Sequence, residues 1–193
     1  SADVAGDFNL VNFNIDRDRY ILIPYIKAAR QINPDLRIWA SPWCPPPWMK
    51  TNNHYASAVR PSGEKDVNGL LPREAIAEFS TGFRMEEGYL KTYADYFARF
   101  IKAYEAEGLP LECIHVQNEP CSNQVFPSCK WRTEDLTFFL GHYLGPTFER
   151  ENIKTDIYFG TINTSNPDYV RTALRDEQAA KYIKGVGFQW DSK

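Results

Sequence analysis

Residues 113–121 read CIHVQNEPC, and the rest of the chain can be interpreted from this stretch. The run 114–117 predicts a short β-strand. That strand must end by Pro120, because proline has no amide hydrogen to donate to a strand ladder. Glu119 therefore lies at the carboxyl end of a strand, where a carboxylate is a candidate general acid. A solvated or loop-capping glutamate is the alternative that these residues alone leave open.

Strand-like and helix-like segments alternate along the chain. The strand-like segments are 36–40, 114–117, 156–162 and 185–189. The segments with apolar residues at helical spacing are 16–32, 89–107, 133–148 and 167–183. We expect either a kink or a late helix start at Pro24, and we expect Gly145-Pro146 to break or end the third helix. Such alternation indicates an α/β fold, in which helices cover a parallel sheet.

Aromatic and polar residues follow the predicted strands rather than precede them. Trp43, Glu119, Asn163 and Trp190 each come just after a strand. The carboxyl ends of parallel strands meet at one edge, and a (β/α)₈ barrel builds its site there. A doubly wound open sheet also binds ligands at this edge, but the chain has no glycine-rich turn typical of a phosphate or dinucleotide site. The pattern favours a barrel.

Two loops stand out in composition. Residues 41–50 read SPWCPPPWMK, and four prolines in so short a stretch predict a stiff loop that presents Trp43 and Trp48. Residues 51–83 are polar and lack a clear period, which predicts a long loop with at most a short helix near residues 73–79. A loop of this length within a compact domain is usually functional or partly mobile.

Charge and hydropathy exclude two classes of partner. The 193 residues carry a net charge of −3, and no run of lysine or arginine stands out. We therefore expect no nucleic acid partner. No apolar run reaches the length of a membrane span, so no transmembrane segment is expected.

The cysteines and His115 do not predict a metal site. Cys44, Cys113, Cys121 and Cys129 lack the CxxC spacing of zinc sites, so we expect neither a metal nor another cofactor. Cys121 and Cys129 are near enough in sequence to form a disulfide, which spacing alone does not decide. His115 lies within the predicted strand, and a hydrogen-bonded core histidine is favoured over a metal ligand.

Four motifs together resemble glycoside hydrolase family 30, which includes glucosylceramidases and β-1,6-glucanases. They are ASPWCPP at 40–46, QNEP at 117–120, YLGP at 143–146 and GFQW at 187–190. The resemblance implies a (β/α)₈ TIM barrel with a small β-domain attached. It also implies that residues 1–193 are a single fragment of the catalytic domain, about strands three to six with their helices. The first strands, strand seven onward and any β-domain would lie outside this chain.

The resemblance implies retaining hydrolysis by two carboxylates and assigns roles to single residues. Glu119 matches the general acid/base, and Asn118 matches the residue that binds the sugar 2-hydroxyl. Trp43 matches a wall of the sugar subsite, and Gln189 with Trp190 matches the segment of strand six that lines it. The nucleophile would be a glutamate at the end of strand seven, beyond the C-terminus. Asp191 is the alternative within the chain. Cys44 departs from the family, where serine or threonine is commoner.

The expected substrate is a carbohydrate or glycolipid with a β-glucosidic linkage, of the glucosylceramide or β-1,6-glucan type. Xylosidic and fucosidic linkages stay open. The family implies an extracellular, periplasmic or lysosomal location. The alternative from another class is a catalytically inert barrel fragment, or a carbohydrate-binding remnant without turnover.

Overall fold

The computed structural model describes residues 2–60 and 68–189. Within these residues four strands form one parallel sheet, and their order in the sheet is their order in the chain. The strands are β1 (Trp39–Ala40), β2 (Cys113–His115), β3 (Asp156–Ile162) and β4 (Ile183–Phe188). Parallel neighbours require long crossover connections, which the helices supply. The predicted α/β architecture is confirmed.

Helices precede β1 and occupy the connections between the later strands. They are α1 (Asp16–Tyr20), α2 (Leu22–Ile32), α3 (Glu87–Ala106), α4 (Thr133–Phe139), α5 (Gly145–Arg150), α6 (Asp168–Arg175) and α7 (Glu177–Ala180). A π-helical turn, Leu140–Leu144, joins α4 to α5, and 3₁₀ turns lie at Pro47–Met49 and Pro72–Glu74. In the part of the chain that the structure describes, no helix combines the length and apolar character needed to cross a membrane.

The first helix is interrupted, as Pro24 predicts. α1 ends at Tyr20 and α2 begins at Leu22, with Ile21 between them. Pro24 has no amide hydrogen for the carbonyl of Tyr20, and its ring would collide with that carbonyl in a regular helix. The break therefore falls where a continuous helix would lose a hydrogen bond.

The Gly145-Pro146 pair does not end its helix, so the expected break there is wrong. The helix widens into the π-turn and continues through α5 to Arg150. A π-turn changes the hydrogen-bond spacing and so accommodates a residue that cannot donate. Gly145 serves packing instead, because a Cβ at this position would lie 2.1 Å from the ring of Tyr182.

Several other boundaries differ from the prediction. β1 is only Trp39–Ala40, and the short helix expected near residues 73–79 is the 3₁₀ turn Pro72–Glu74. The helix predicted over 167–183 is split at Asp176, whose side chain accepts hydrogen bonds from the amides of Gln178 and Ala179 and so starts α7. Such a cap satisfies amides that a helix start leaves unpaired.

A buried aromatic cluster fixes the helices behind the sheet. It comprises Phe83, Tyr93, Trp131 and Phe139, none more than 1% exposed. The rings of Phe83 and Trp131 stack with centroids 4.8 Å apart, and those of Tyr93 and Phe139 lie 5.5 Å apart. Aromatic packing of this kind contributes about 0.5–1.5 kcal/mol per pair beyond the burial of area. The cluster joins α3, α4 and the two segments that lead into them.

The face of the sheet opposite this cluster carries a row of rings. Trp39, His115 and Tyr158, on three adjacent strands, have neighbouring centroids 4.7 and 5.0 Å apart. His115 is buried, its Nδ1 lies 3.1 Å from the carbonyl oxygen of Gly160, and burial lowers its pKa. The expected core histidine is confirmed. A Cβ on Gly187 would lie 2.5 Å from His115 Cε1, so β4 needs glycine there.

Candidate active site

The segment that follows β2 is held against the end of β3. Asn118 forms a parallel bridge with Thr161. The amide of Thr161 donates to the carbonyl oxygen of Gln117 at 3.1 Å, and the amide of Glu119 donates to the carbonyl oxygen of Thr161 at 3.0 Å. Ladder-like bonding therefore continues past β2 and fixes residues 117–119 at the carboxyl edge of the sheet.

Glu119 has an unusual backbone conformation. Its φ is +47°, in the left-handed region that few residues other than glycine adopt. Its side chain is half-buried, and Oε2 accepts a hydrogen bond of 3.4 Å from Nε2 of Gln124. Strained backbone of this kind persists only where the surroundings enforce it, and it is concentrated at functional sites. Here the bond from its own amide to Thr161 supplies that constraint.

Asn118 is anchored from three sides and is only 7% exposed. Its amide nitrogen in the backbone donates to the carbonyl oxygen of Pro42 at 2.9 Å. Its side-chain Oδ1 accepts two hydrogen bonds, from Oγ1 of Thr161 and from Nε2 of Gln189, each at 2.8 Å. The sheet edge therefore brings together three of the residues that sequence singled out or implied: Asn118, Glu119 and Gln189.

Gln117 connects this site to the proline-rich loop. Its Nε2 donates to the carbonyl oxygens of Trp43 and Asn118, each at 2.9 Å, and its Oε1 accepts from Nε1 of Trp131 at 3.4 Å. The side chain is fully buried. This connecting role of Gln117 was not identified from the sequence. A signal was present, because a long polar side chain at the end of a buried apolar strand needs hydrogen-bond partners inside the protein.

Two aromatic rings form an exposed wall beside the site. Trp43 is 51% exposed and Phe126 is 37% exposed, and their ring centroids lie 5.6 Å apart. Trp43 stands on the stiff loop between β1 and the turn Pro47–Met49, and Phe126 stands on the loop that follows Glu119. Phe126 was not identified from sequence as a partner of Trp43, because the contact spans two loops that are remote in the chain.

Lys50 lies beneath these loops and is completely buried. Its ammonium group donates to the carbonyl oxygens of Ser128, Ala56 and Tyr55 at 2.7, 3.0 and 3.1 Å, and Oγ of Ser57 lies at 3.3 Å. We call this arrangement the lysine cage. Desolvation lowers the pKa of Lys50. The cage ties the loop after β1 to the loop after Glu119.

Asn163 supports the loop that follows Glu119. Its Oδ1 accepts from the backbone amide of Cys121 at 3.0 Å, and its Nδ2 donates to Oγ of Ser122 at 2.8 Å. Asn163, which the sequence places at a strand end, therefore holds the start of the loop that follows Glu119. Trp190 and Asp191 lie outside the described residues.

The described residues do not offer a metal site. Residues 2–60 and 68–189 hold no group of three or more His, Cys, Asp or Glu side chains that could bind an ion together. Among the described residues no disulfide joins Cys121 to Cys129 or involves the other two cysteines. Cys44 is half-buried, its thiol donates to the carbonyl oxygen of Pro45 at 2.9 Å, and desolvation raises its pKa.

The sequence model of the glycosyl hydrolase family 30 TIM-barrel domain matches residues 1–69 and 76–193. The chain belongs to glycosyl hydrolase family 30. Its four parallel strands are therefore part of a (β/α)₈ barrel, as the four motifs indicated.

Family 30 relatives match nearly all of the chain. An endo-1,6-β-D-glucanase of Neurospora crassa is 26% identical over 94% of the chain and 33% of its own length. The lysosomal acid glucosylceramidase of Mus musculus is 27% identical over 98% of the chain and 34% of its own length. The crystal structure of SrfJ from Salmonella typhimurium superimposes with a TM-score of 0.74 and 27% identity over 97% of the chain and 37% of that structure. The chain thus spans about a third of the length of the curated relatives it matches.

Proposed function

We propose that the full-length protein containing this chain is a retaining glycoside hydrolase and that Glu119 is its general acid/base. The observation that carries the proposal is the fixed position of Glu119 in a family 30 chain. The carboxylate stands at the carboxyl end of β2, on a left-handed backbone, next to the buried amide of Asn118. Barrel enzymes build their sites from residues at these strand ends.

The proposed reaction has two steps. In the first, Glu119 donates a proton to the glycosidic oxygen while the C1–O bond breaks and a second carboxylate bonds to C1. In the second, ionised Glu119 takes a proton from the water that attacks C1, and the bond between sugar and enzyme breaks. Gln124, whose Nε2 contacts Oε2 of Glu119, restrains the carboxylate in both steps.

The second carboxylate is proposed to be a glutamate on strand seven, in a segment of the protein that follows this chain. Retaining enzymes place their two carboxyl groups about 5–5.5 Å apart. Asp191 is the alternative within the chain, since it follows β4 closely in sequence.

We propose a β-glucosidic substrate of the glucosylceramide or β-1,6-glucan type. Relatives named for both activities support this choice, as do the exposed, contacting rings of Trp43 and Phe126 on the loops after β1 and after Glu119. Xylan-type linkages are the alternative to test. We further propose that the protein acts outside the cytoplasm, since one relative is named as lysosomal.

The test uses the full-length protein with Glu119 replaced by Gln. Hydrolysis of an alkyl β-glucoside should fall about a thousandfold, because its leaving group needs the proton. Release of dinitrophenolate from 2,4-dinitrophenyl β-glucoside should persist in a first turnover, and azide should speed later turnovers by attacking without a general base. Glu105→Gln, an exposed carboxylate on α3, is the matched control.

Two results would contradict the proposal in different ways. If Glu119→Gln lost activity equally on the alkyl β-glucoside and on 2,4-dinitrophenyl β-glucoside, Glu119 would not be the general acid/base. The unmodified protein could instead bind β-1,6-glucan or glucosylceramide but release no glucose or oligosaccharide from any β-glycoside. That result would favour a carbohydrate-binding protein without turnover.

A further inference from the structure

The side-chain amide of Asn118 is oriented by two donors on its oxygen. Oγ1 of Thr161 and Nε2 of Gln189 both donate to Oδ1, each at 2.8 Å. The two donors come from different strands, since Thr161 lies near the end of β3 and Gln189 immediately follows β4. With Oδ1 occupied on two sides, the NH₂ group of Asn118 must face away from both donors.

Thr161 is itself rigidly held. Its amide donates to Gln117, its carbonyl accepts from Glu119, and its hydroxyl donates to Asn118. The residue is 5% exposed, so water cannot easily replace a missing hydroxyl. Thr161 therefore forms a hydrogen bond with each of the three residues 117–119.

We infer that Thr161 and Gln189 are positioning residues that present Nδ2 of Asn118 to the 2-hydroxyl of a sugar bound at Glu119. This inference rests on the proposed glycosidase function. Among the described residues the structure assigns no protein acceptor to Nδ2, although Asn118 as a whole is only 7% exposed. Gln189 then acts through Asn118, because its Nε2 donates to Oδ1 of that residue.

The chemistry of retaining glycosidases explains why orientation matters. Hydrogen bonds to the 2-hydroxyl strengthen as the transition state forms. An interaction of that kind affects kcat more than KM. A misoriented Asn118 should therefore slow the chemical step while leaving substrate binding nearly unchanged.

The test compares two substrates in the full-length protein: 2,4-dinitrophenyl β-glucoside and its 2-deoxy analogue. Asn118→Ala should lower kcat/KM for the glucoside about a hundredfold, as loss of a transition-state donor does. Thr161→Val should lower it about tenfold, as loss of one orienting hydrogen bond does, mostly through kcat. For the 2-deoxy analogue, which has no hydroxyl to bind, both variants should stay within about twofold of the unmodified protein.

Controls separate orientation from general damage. Thr161→Ser keeps the hydroxyl and should retain activity on the glucoside. Thr137→Val removes another buried threonine hydroxyl, in α4, that has no hydrogen-bond partner among the described residues, and it should affect neither substrate. Gln189→Leu removes the second donor and provides the same substrate comparison if Thr161→Val does not fold.

The outcomes distinguish the inference from the function on which it rests. If Thr161→Val lost activity equally on the glucoside and on its 2-deoxy analogue, the positioning role alone would be overturned. Gln189→Leu decides the same point where the valine variant is unfolded. Failure of the unmodified protein to hydrolyse either substrate would overturn the proposed β-glucosidase function and the inference with it.

Discussion

The lysine cage and the site around Asn118 are two buried polar networks that differ in completeness. In the cage, four oxygens surround an ammonium group that has three hydrogens to donate. At Asn118, two donors occupy the amide oxygen, while the described residues provide no assigned acceptor for the amide nitrogen. A network in which every polar group is paired stabilises the fold, whereas one that leaves a donor unpaired is prepared for a ligand.

Lys50→Met tests the stabilising network and should have the largest effect on folding. The substitution keeps an unbranched chain but leaves buried carbonyl oxygens without a donor, so the free energy of unfolding should fall by about 3 kcal/mol or more. Urea unfolding of the full-length protein measures it. Lys102→Met, which removes an exposed ion pair with Glu151, should cost less than about 1 kcal/mol. Similar values for the two variants would contradict a stabilising role for the cage.

Gln117→Leu tests the residue that links Asn118 to the Trp43 loop. The variant removes the donor to two carbonyl oxygens and the acceptor of Trp131, so unfolding should become easier by about 2 kcal/mol. Activity on a β-glucoside should also fall, because Trp43 loses its anchor. Full activity in a destabilised variant would show that this bond serves the fold alone.

Glu119→Gly tests whether the site stores backbone strain. Glycine adopts a φ of +47° without penalty, so this variant should be more stable than Glu119→Gln by about 1 kcal/mol. Both variants lack the carboxylate, so thermal unfolding compares backbone conformation with the charge held constant. A glycine variant less stable than the glutamine variant would argue that Glu119 is not strained.

The pH dependence of the cage should have the smallest effect. Burial lowers the folded-state pKa of Lys50 below its unfolded value, so above the folded pKa the unfolded chain binds more protons. The stability of the unmodified protein relative to Lys50→Met should therefore increase as the pH rises through the folded pKa towards about 10.4, the usual lysine value. Unfolding of both proteins from pH 8 upward measures the difference, and a difference that shrinks with pH would contradict the direction of the shift.

Much of the fold could be predicted from the sequence because local signals and the global architecture agree. The segment Asp156–Ile162 was predicted as a strand with the bounds it has, and the strand ends correctly located Asn118 and Glu119. Pro24 interrupted its helix as expected. Gly145-Pro146 did not interrupt its helix. A π-turn accommodates the proline and the ring of Tyr182 packs on the glycine, and neither feature can be predicted from the local sequence.

The supporting residues of the site could not be predicted for a related reason. The hydroxyl of Thr161 and the ammonium of Lys50 are important only through partners far away in the sequence. A lysine in a loop and a threonine in a strand are ordinary surface and sheet residues by composition. Only the folded chain places Ser128 beside Lys50 and Asn118 beside Thr161.

The lysine cage also imposes an order on biosynthesis. Lys50 and Ser128 are separated by 78 residues. At about 5–20 residues per second, a ribosome needs roughly 4 to 16 seconds to add that length of chain. Throughout that interval Lys50 stays hydrated and the loop after β1 lacks its anchor. The wall formed by Trp43 can therefore be completed only after the chain that carries Glu119 has been made.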